Sequence, residues 1–224
     1  MKKTIYNHYD KNAIVDLPKA VFNGKIVVIQ SAAEAEKAVD FLMSQSVLGI
    51  DTETRPAFKK GQSHLVSLLQ VSTYDVCFLF RLNFIGITAS LKRLLENTEI
   101  PMIGLSLHDD IAALNKRKRF KSGHFIDIQS LVGEFGIEDL SLQKLFANLF
   151  HQHISKRQQL SNWEADVLSE KQKLYAATDA WACLMIYDEL KRFHDTHDYK
   201  LVKVAEPENE QVTITDNTSK QDDI

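Results

Sequence analysis

Four carboxylates and one phenol are spaced so that they could share a site. Asp51-Thr52-Glu53 ends the apolar run Val47-Leu-Gly-Ile50, which reads as a short strand. Side chains alternate along a strand, so Asp51 and Glu53 fall on one face and repel each other. In a buried setting one of them holds a proton unless a cation compensates. Taken alone, an acidic strand end facing water explains the pair equally well. Asp109 and Asp110 open a helix-like segment after the run Met102 to Leu107. The apolar stripe Leu107, Ile111, Leu114 faces inward; Asp110 borders it, three residues after Leu107 and four before Leu114, while Asp109 points away. Asp110 is therefore the chosen acid, and helix-dipole preference for acids at an N-terminus accounts for Asp109. Tyr175 and Asp179 are four apart on a late helix and so share a face. Oxygen-only ligands select Mg²⁺ or Mn²⁺ over zinc. Two such ions about 3.5–4 Å apart form a clamp for in-line displacement at a phosphodiester.

The elements that must position these groups alternate along the chain. Ile26 to Gln30 reads as a strand after a Gly24-Lys25 turn, and Ser31-Ala-Ala-Glu34 has capping-box spacing ahead of a helix reaching about Met43. Leu65 to Ser72 and Val76 to Leu82 are β-prone runs joined by Thr73-Tyr74-Asp75, which predicts an antiparallel hairpin. Leu91 to Asn97 reads as helix, Met102 to Leu107 as strand, Asp109 to Arg119 as helix, and His124 to Gln129 as strand. Only helices are expected after that: Leu142 to Phe150, then a long one from Ser169, capped with Gln172, to Phe193. The sum is an α/β fold with a mixed central sheet of about five strands flanked by helices. Residues 1–24 read as an N-terminal arm, 25–205 as the domain, and 206–224 as a solvated or disordered acidic tail.

Three segments resemble a known family. Asp51-Thr-Glu53, Gly104 followed by Asp110 and Leu114, and Lys171-Gln-Lys-Leu-Tyr-Ala-Ala-Thr-Asp-Ala180 resemble the three motifs of the DEDD superfamily of 3′→5′ exonucleases. Tyr175, with Leu at 174 where the histidine subfamily has its His, fits the tyrosine subfamily that includes the Werner-syndrome exonuclease domain and ribonuclease D. Leu160-Ser-Asn-Trp163 is also Werner-like, and the resemblance covers roughly Ile26 to Phe193. It implies a ribonuclease H-like fold, two divalent cations, and release of nucleoside 5′-monophosphates from a free 3′ end. In that scheme Asp51 bridges both ions, Glu53 and Asp179 complete the first, Asp110 holds the second partly through water, and Tyr175 orients the attacking water. The Werner-like last motif favours DNA over RNA; ribonuclease D-like processing of RNA ends, or a non-catalytic nucleic-acid-binding protein, is the alternative. One departure is Ala112, where the Werner domain has a Trp. No fused helical binding domain is recognised, so a stand-alone exonuclease domain is expected.

Secondary features are less specific. Phe58, Lys59 and Lys60 lie just past the first acids, and Lys116 and Arg117 lead a run of five cations in six positions; both are candidate nucleic-acid contacts, and both also suit a plain surface loop or helix end. His151 with His153, and the cluster His194, Asp195, His197, Asp198, lack thiols and closed zinc spacing. Asp127 reads as a capping acid, Trp163 and Trp181 as core aromatics. Of 224 residues, 44% are hydrophobic and 25% charged, which excludes a disordered chain. Two cysteines give no disulfide framework, and no apolar run follows Met1-Lys2-Lys3, so a soluble, intracellular protein is expected, cytoplasmic if bacterial, with no membrane partner. The net charge of −3 argues against a nucleic-acid partner only superficially: the tail from Glu206 carries −5, leaving about +2 on the rest before any metal is added.

Overall fold

The computed structural model describes residues 2–59 and 61–205. In chain order the elements are β1 (Lys3–Tyr6), β2 (Lys25–Ile29), α1 (Ala32–Leu42), β3 (Leu48–Glu53), β4 (Leu68–Ser72), β5 (Val76–Arg81), α2 (Leu82–Ile85), α3 (Ala89–Leu95), β6 (Met102–Gly104), α4 (Leu107–Arg117), β7 (Phe125–Asp127), α5 (Ile128–Leu131), α6 (Leu142–Phe150), α7 (Glu170–Thr196) and β8 (Tyr199–Val202). Six strands form one mixed sheet in the order β2-β5-β4-β3-β6-β7. β3 and β4, and β4 and β5, pair antiparallel; β2 with β5, and β3 with β6 and β6 with β7, pair parallel. The central strand β3 pairs with β6 at its start and with β4 through its C-terminal end, which carries Asp51 and Glu53.

The register sorts the sheet into two faces. Ile50, Val71 and Phe78 are in register, and the face they mark packs on Val39 and Leu42 of α1 and Leu91 and Leu94 of α3. The opposite rows are Gly49–Ser72–Cys77, Asp51–Gln70–Leu79 and Glu53–Leu68–Arg81. They meet α7, whose Ala176 and Ala177 pack with Leu68, Cys77, Leu79 and Trp163. Small residues let this helix lie close to the sheet. A Cβ on Gly49 would stand 2.1 Å from the Ala180 carbonyl oxygen, so glycine is required there by contact alone.

Both predicted capping boxes form: Ser31 with Glu34 on α1, Ser169 with Gln172 on α7. Three expectations change. The sheet has six strands rather than about five. A second, two-stranded parallel sheet joins β1 to β8, so a strand follows the last helix and part of the N-terminal arm is paired. Each strand is only four residues long; they are held by partners almost two hundred residues apart, with Ile5 buried among α6 and α7 side chains and Tyr199 against Phe135 and Phe193. The strand expected to reach Leu107 stops at Gly104, because Ser106 turns into the left-handed region at φ 60°. Asp127 holds that turn by accepting from the Ser106 and Leu107 N–H groups at 3.0 and 2.8 Å. The acidic tail from Glu206 lies outside the described residues. No helix among the described residues is long and apolar enough to cross a membrane.

Gly49→Ala is expected to cost about 1–3 kcal/mol by overpacking. Gly133→Ala, where an added Cβ meets nothing within 4 Å, serves as the neutral control. Denaturant midpoints check the pair; equal stability of the two variants would contradict the close approach of α7.

Candidate active site

Asp51 and Glu53 point from β3 toward α7, and Asp179 comes down from α7 to meet them. One oxygen from each lies within 4.8 Å of the others. Glu53 and Asp179 are only 8% and 7% exposed. The height of Asp179 on its helix is set by the helix start. Ser169 N–H donates to Gln172 Oε1 at 3.0 Å, and Gln172 Nε2 donates to Ser161 Oγ and the Asn162 carbonyl at 3.1 Å each. The loop before α7 is anchored in turn by buried Trp163, whose ring centroid is 6.0 Å from that of Tyr175. Arg81, fully buried on β5, donates to the Ala165 and Asp166 carbonyls of the same loop.

Asp110 lies outside the close triple but beside it: Thr52 Oγ1 donates to its Oδ1. Its neighbour Asp109 has a side chain 93% exposed and paired only with His108. Gln70, directly across the ladder from Asp51, is fully buried with neither end of its amide hydrogen-bonded. Sequence alone gave no signal for Gln70, since a lone glutamine in an apolar strand has no periodicity of its own.

Burial is the main electrostatic fact. Desolvation, then the charges of Asp179 and Asp110, holds Asp51 well above the usual carboxylate range. Desolvation and the same acidic neighbours push Glu53 up to about 10. Asp179 is pushed up to about 7 by burial, against the opposing pull of the Tyr175 hydroxyl and Lys156. Asp110 rises to about 6 by burial, opposed by the Thr52 hydrogen bond. The Tyr175 phenol is raised by burial and by Asp179 and Glu53, so it stays neutral at ordinary pH. A cluster of this kind keeps protons unless a cation replaces them. Asp179 Oδ1 is buried with no partner, a donor atom left over for a ligand. Converging carboxylate oxygens with no thiol or imidazole among them fit a hard divalent cation. The histidine pairs form no such group among the described residues.

The proposed nucleic-acid contacts separate. Phe58 is 81% exposed on the loop after β3, with Lys59 exposed beside it; Lys60 lies outside the described residues. Lys116 is exposed on α4. Arg117 is half-buried and its Nε donates to the Val66 carbonyl of the segment entering β4. Lys118 is similarly spent on the Ile87 carbonyl at 3.0 Å. The run of cations mixes braces with solvated charges because a helix end turns successive residues in different directions. One cation was missed: Lys156 lines a small pocket with Tyr175 and Asp179. The Lys156-Arg157 pair, beginning five residues before the Ser161-Asn-Trp163 lead-in, could have flagged it.

A family model described as 3′-5′ exonuclease matches residues 26–193. The chain belongs to that family. It is 31% identical over 191 residues to the mouse protein named bifunctional 3′-5′ exonuclease/ATP-dependent helicase WRN, covering 81% of this chain and 14% of the relative. It is 28% identical to an Arabidopsis thaliana 3′-5′ exonuclease, covering 80% of this chain and 68% of that protein. The exonuclease thus spans a small part of the first relative and about two thirds of the second. Among solved structures, the Aedes aegypti Nibbler EXO domain aligns with TM-score 0.72 at 20% identity, covering 81% of this chain and 95% of that one. Escherichia coli RNase D aligns with TM-score 0.68 at 18% identity, covering 77% and 45%. The fold of this DEDD-type exonuclease is accordingly ribonuclease H-like, as expected from its motifs.

The raised carboxyls fix the sign of a pH effect. Native Asp179 and Asp110 bind protons more tightly than in the unfolded chain, so unfolding releases protons and stability falls as pH rises from about 4 through 7. In EDTA the unfolding midpoint should drop between pH 5 and pH 8, less so for Asp179→Asn. Mn²⁺ should raise it more at pH 8 than at pH 5. A midpoint that climbs over this range for the EDTA-treated wild type would show the carboxylates are not mutually destabilised.

Proposed function

We propose that this exonuclease hydrolyses nucleic acid stepwise from a free 3′ end, releasing nucleoside 5′-monophosphates, with DNA preferred and two divalent cations, Mg²⁺ or Mn²⁺, as cofactors. The observation that carries the proposal is the meeting of Asp51, Glu53 and Asp179 under one helix that also presents Tyr175. Asp51, Glu53 and Asp179 would hold one ion, with Asp51 and Asp110 holding the other. Such ions, when bound, acidify the attacking water and neutralise the departing 3′-oxygen.

The chain's own residues do the rest. Tyr175, neutral and on the helical face of Asp179, holds the attacking water through its hydroxyl and so belongs to the tyrosine subfamily. Thr52 fixes the orientation of Asp110. Lys156 offers a positive charge beside Asp179, suited to a phosphate oxygen arriving at the centre. Phe58, exposed past β3, offers a stacking surface for a base, with Lys59, Lys60 and Lys116 tracking the backbone. The catalytic unit is residues 25–205, with 1–24 as an arm and 206–224 as an acidic tail. The Werner-like last motif, with its Ser161-Asn-Trp163 lead-in, is what favours DNA in this reading. Escherichia coli RNase D, described as an exoribonuclease involved in structured RNA processing, makes RNA the second substrate to test. Cys77 and Cys183 are both free and buried, in keeping with an intracellular, reducing location.

End-labelled DNA and RNA oligomers with Mg²⁺ or Mn²⁺ test the proposal. Wild type should give a ladder shortened from the 3′ end, more rapidly on DNA, and Asp51→Ala should abolish it. Tyr175→Phe should lower kcat on the order of 10²-fold, the low end of what a positioned proton-handling group contributes, with KM little changed. No ladder on either substrate, or one that survives Asp51→Ala, contradicts the assignment.

A further inference from the structure

Beyond Tyr175, on the side away from the carboxylates, lies a cavity of about 200 Å³. Tyr175, Ile154 and Ser155 line both it and the small pocket holding Asp179, so the two spaces share a wall. Three cations from three separate segments line the cavity: Lys19 of the N-terminal arm, Arg157 of the loop before α7, and Lys171 in the first turn of α7. Among the described residues none of the three has a carboxylate within 4.0 Å, although ion pairs are common elsewhere on the surface. Ser155, Gln158 and Thr178 add hydrogen-bonding groups, and Ala20, Val21 and Leu174 an apolar side.

The arm is fastened to make this wall. Ala20 N–H donates to the His153 carbonyl at 2.9 Å, His153 N–H to the Pro18 carbonyl at 2.9 Å, and Phe22 N–H to Thr178 Oγ1 at 3.1 Å. No carboxylate among the described residues lines the cavity. Unpaired cations around a partly apolar space call for a compact anion with an apolar portion.

We infer that this cavity binds a phosphate monoester of nucleoside type, the chemical class of the product released on the other side of Tyr175. The inference rests on the proposed reaction for the source of that ligand, not for the site itself. Holding the monophosphate there makes the product an inhibitor that acts without contact to the catalytic carboxylates, and it gives the arm a role in the enzyme's output.

Calorimetric titration of the full-length chain in EDTA, which prevents phosphate from binding through cations at the carboxylates, tests this directly. AMP and dAMP should bind saturably and adenosine should not. Arg157→Glu and Lys171→Glu, both at exposed positions and checked for unchanged unfolding midpoints, should each weaken binding at least tenfold; Lys19→Glu provides a third variant on a different segment. Asp51→Asn should leave affinity within twofold. Absence of saturable binding, equal affinity in the charge-reversed variants, or loss of binding in Asp51→Asn would overturn the site. Inorganic phosphate binding as tightly as AMP would overturn the nucleoside assignment. AMP binding in a protein that degrades neither DNA nor RNA would sink the proposed reaction and leave the site standing.

Discussion

Three carboxylates within reach of one another, Glu53 and Asp179 buried and Asp51 half-buried, are the costly feature on which the rest of the structure depends. Removing one ionised carboxylate from water costs several kcal/mol even after relaxation, and adjacent like charges add to it. Two outcomes relieve that cost: the groups stay protonated, or a multivalent cation takes the protons' place. The first is seen in the upward displacement of Asp51, Glu53 and Asp179. The second is what the proposed reaction uses. A site that spends folding stability to hold anions together has stored the affinity with which it will take up a metal.

Holding the carboxylates against repulsion demands rigid supports, and the fold supplies them from several directions. β3 is paired with β6 at Leu48 and Gly49 and with β4 from Gly49 to Glu53, so β4 anchors its acidic end. Gly49 and Ala180 bring α7 close enough for Asp179 to reach the strand. Gln172 fixes where that helix starts, and Arg81 with Trp163 fixes the loop that precedes it. Asp127 anchors the left-handed turn at Ser106, which sets the start of α4 and hence the position of Asp110. None of these groups touches the reacting atoms; each removes a way for the acids to separate.

Much of this was legible in the sequence because it is local. A strand ending in Asp-x-Glu, a capping box four residues long and a Tyr four residues before an Asp each declare themselves within a turn or a strand. Asp110 was separable from Asp109 by helical phase alone, and the structure leaves Asp109 in solvent while Asp110 meets Thr52. What escaped was set by distant partners. The pairing of β1 with β8 joins the two ends of the domain, and each strand is only four residues long, too short for its alternation to reveal it. A charge run does not say which of its members reaches a backbone carbonyl, as Arg117 does. Gln70 and Lys156 take their meaning only from the residues placed beside them by the fold.

The central claim is that the buried acids hold protons which a divalent cation displaces. Mn²⁺ binding followed calorimetrically at pH 7 in buffers of different ionisation enthalpy counts those protons. The account predicts saturable binding, release of at least one proton per protein, and loss of both in Asp179→Asn. Binding without proton release, or Mn²⁺ affinity unchanged in Asp179→Asn, would contradict it.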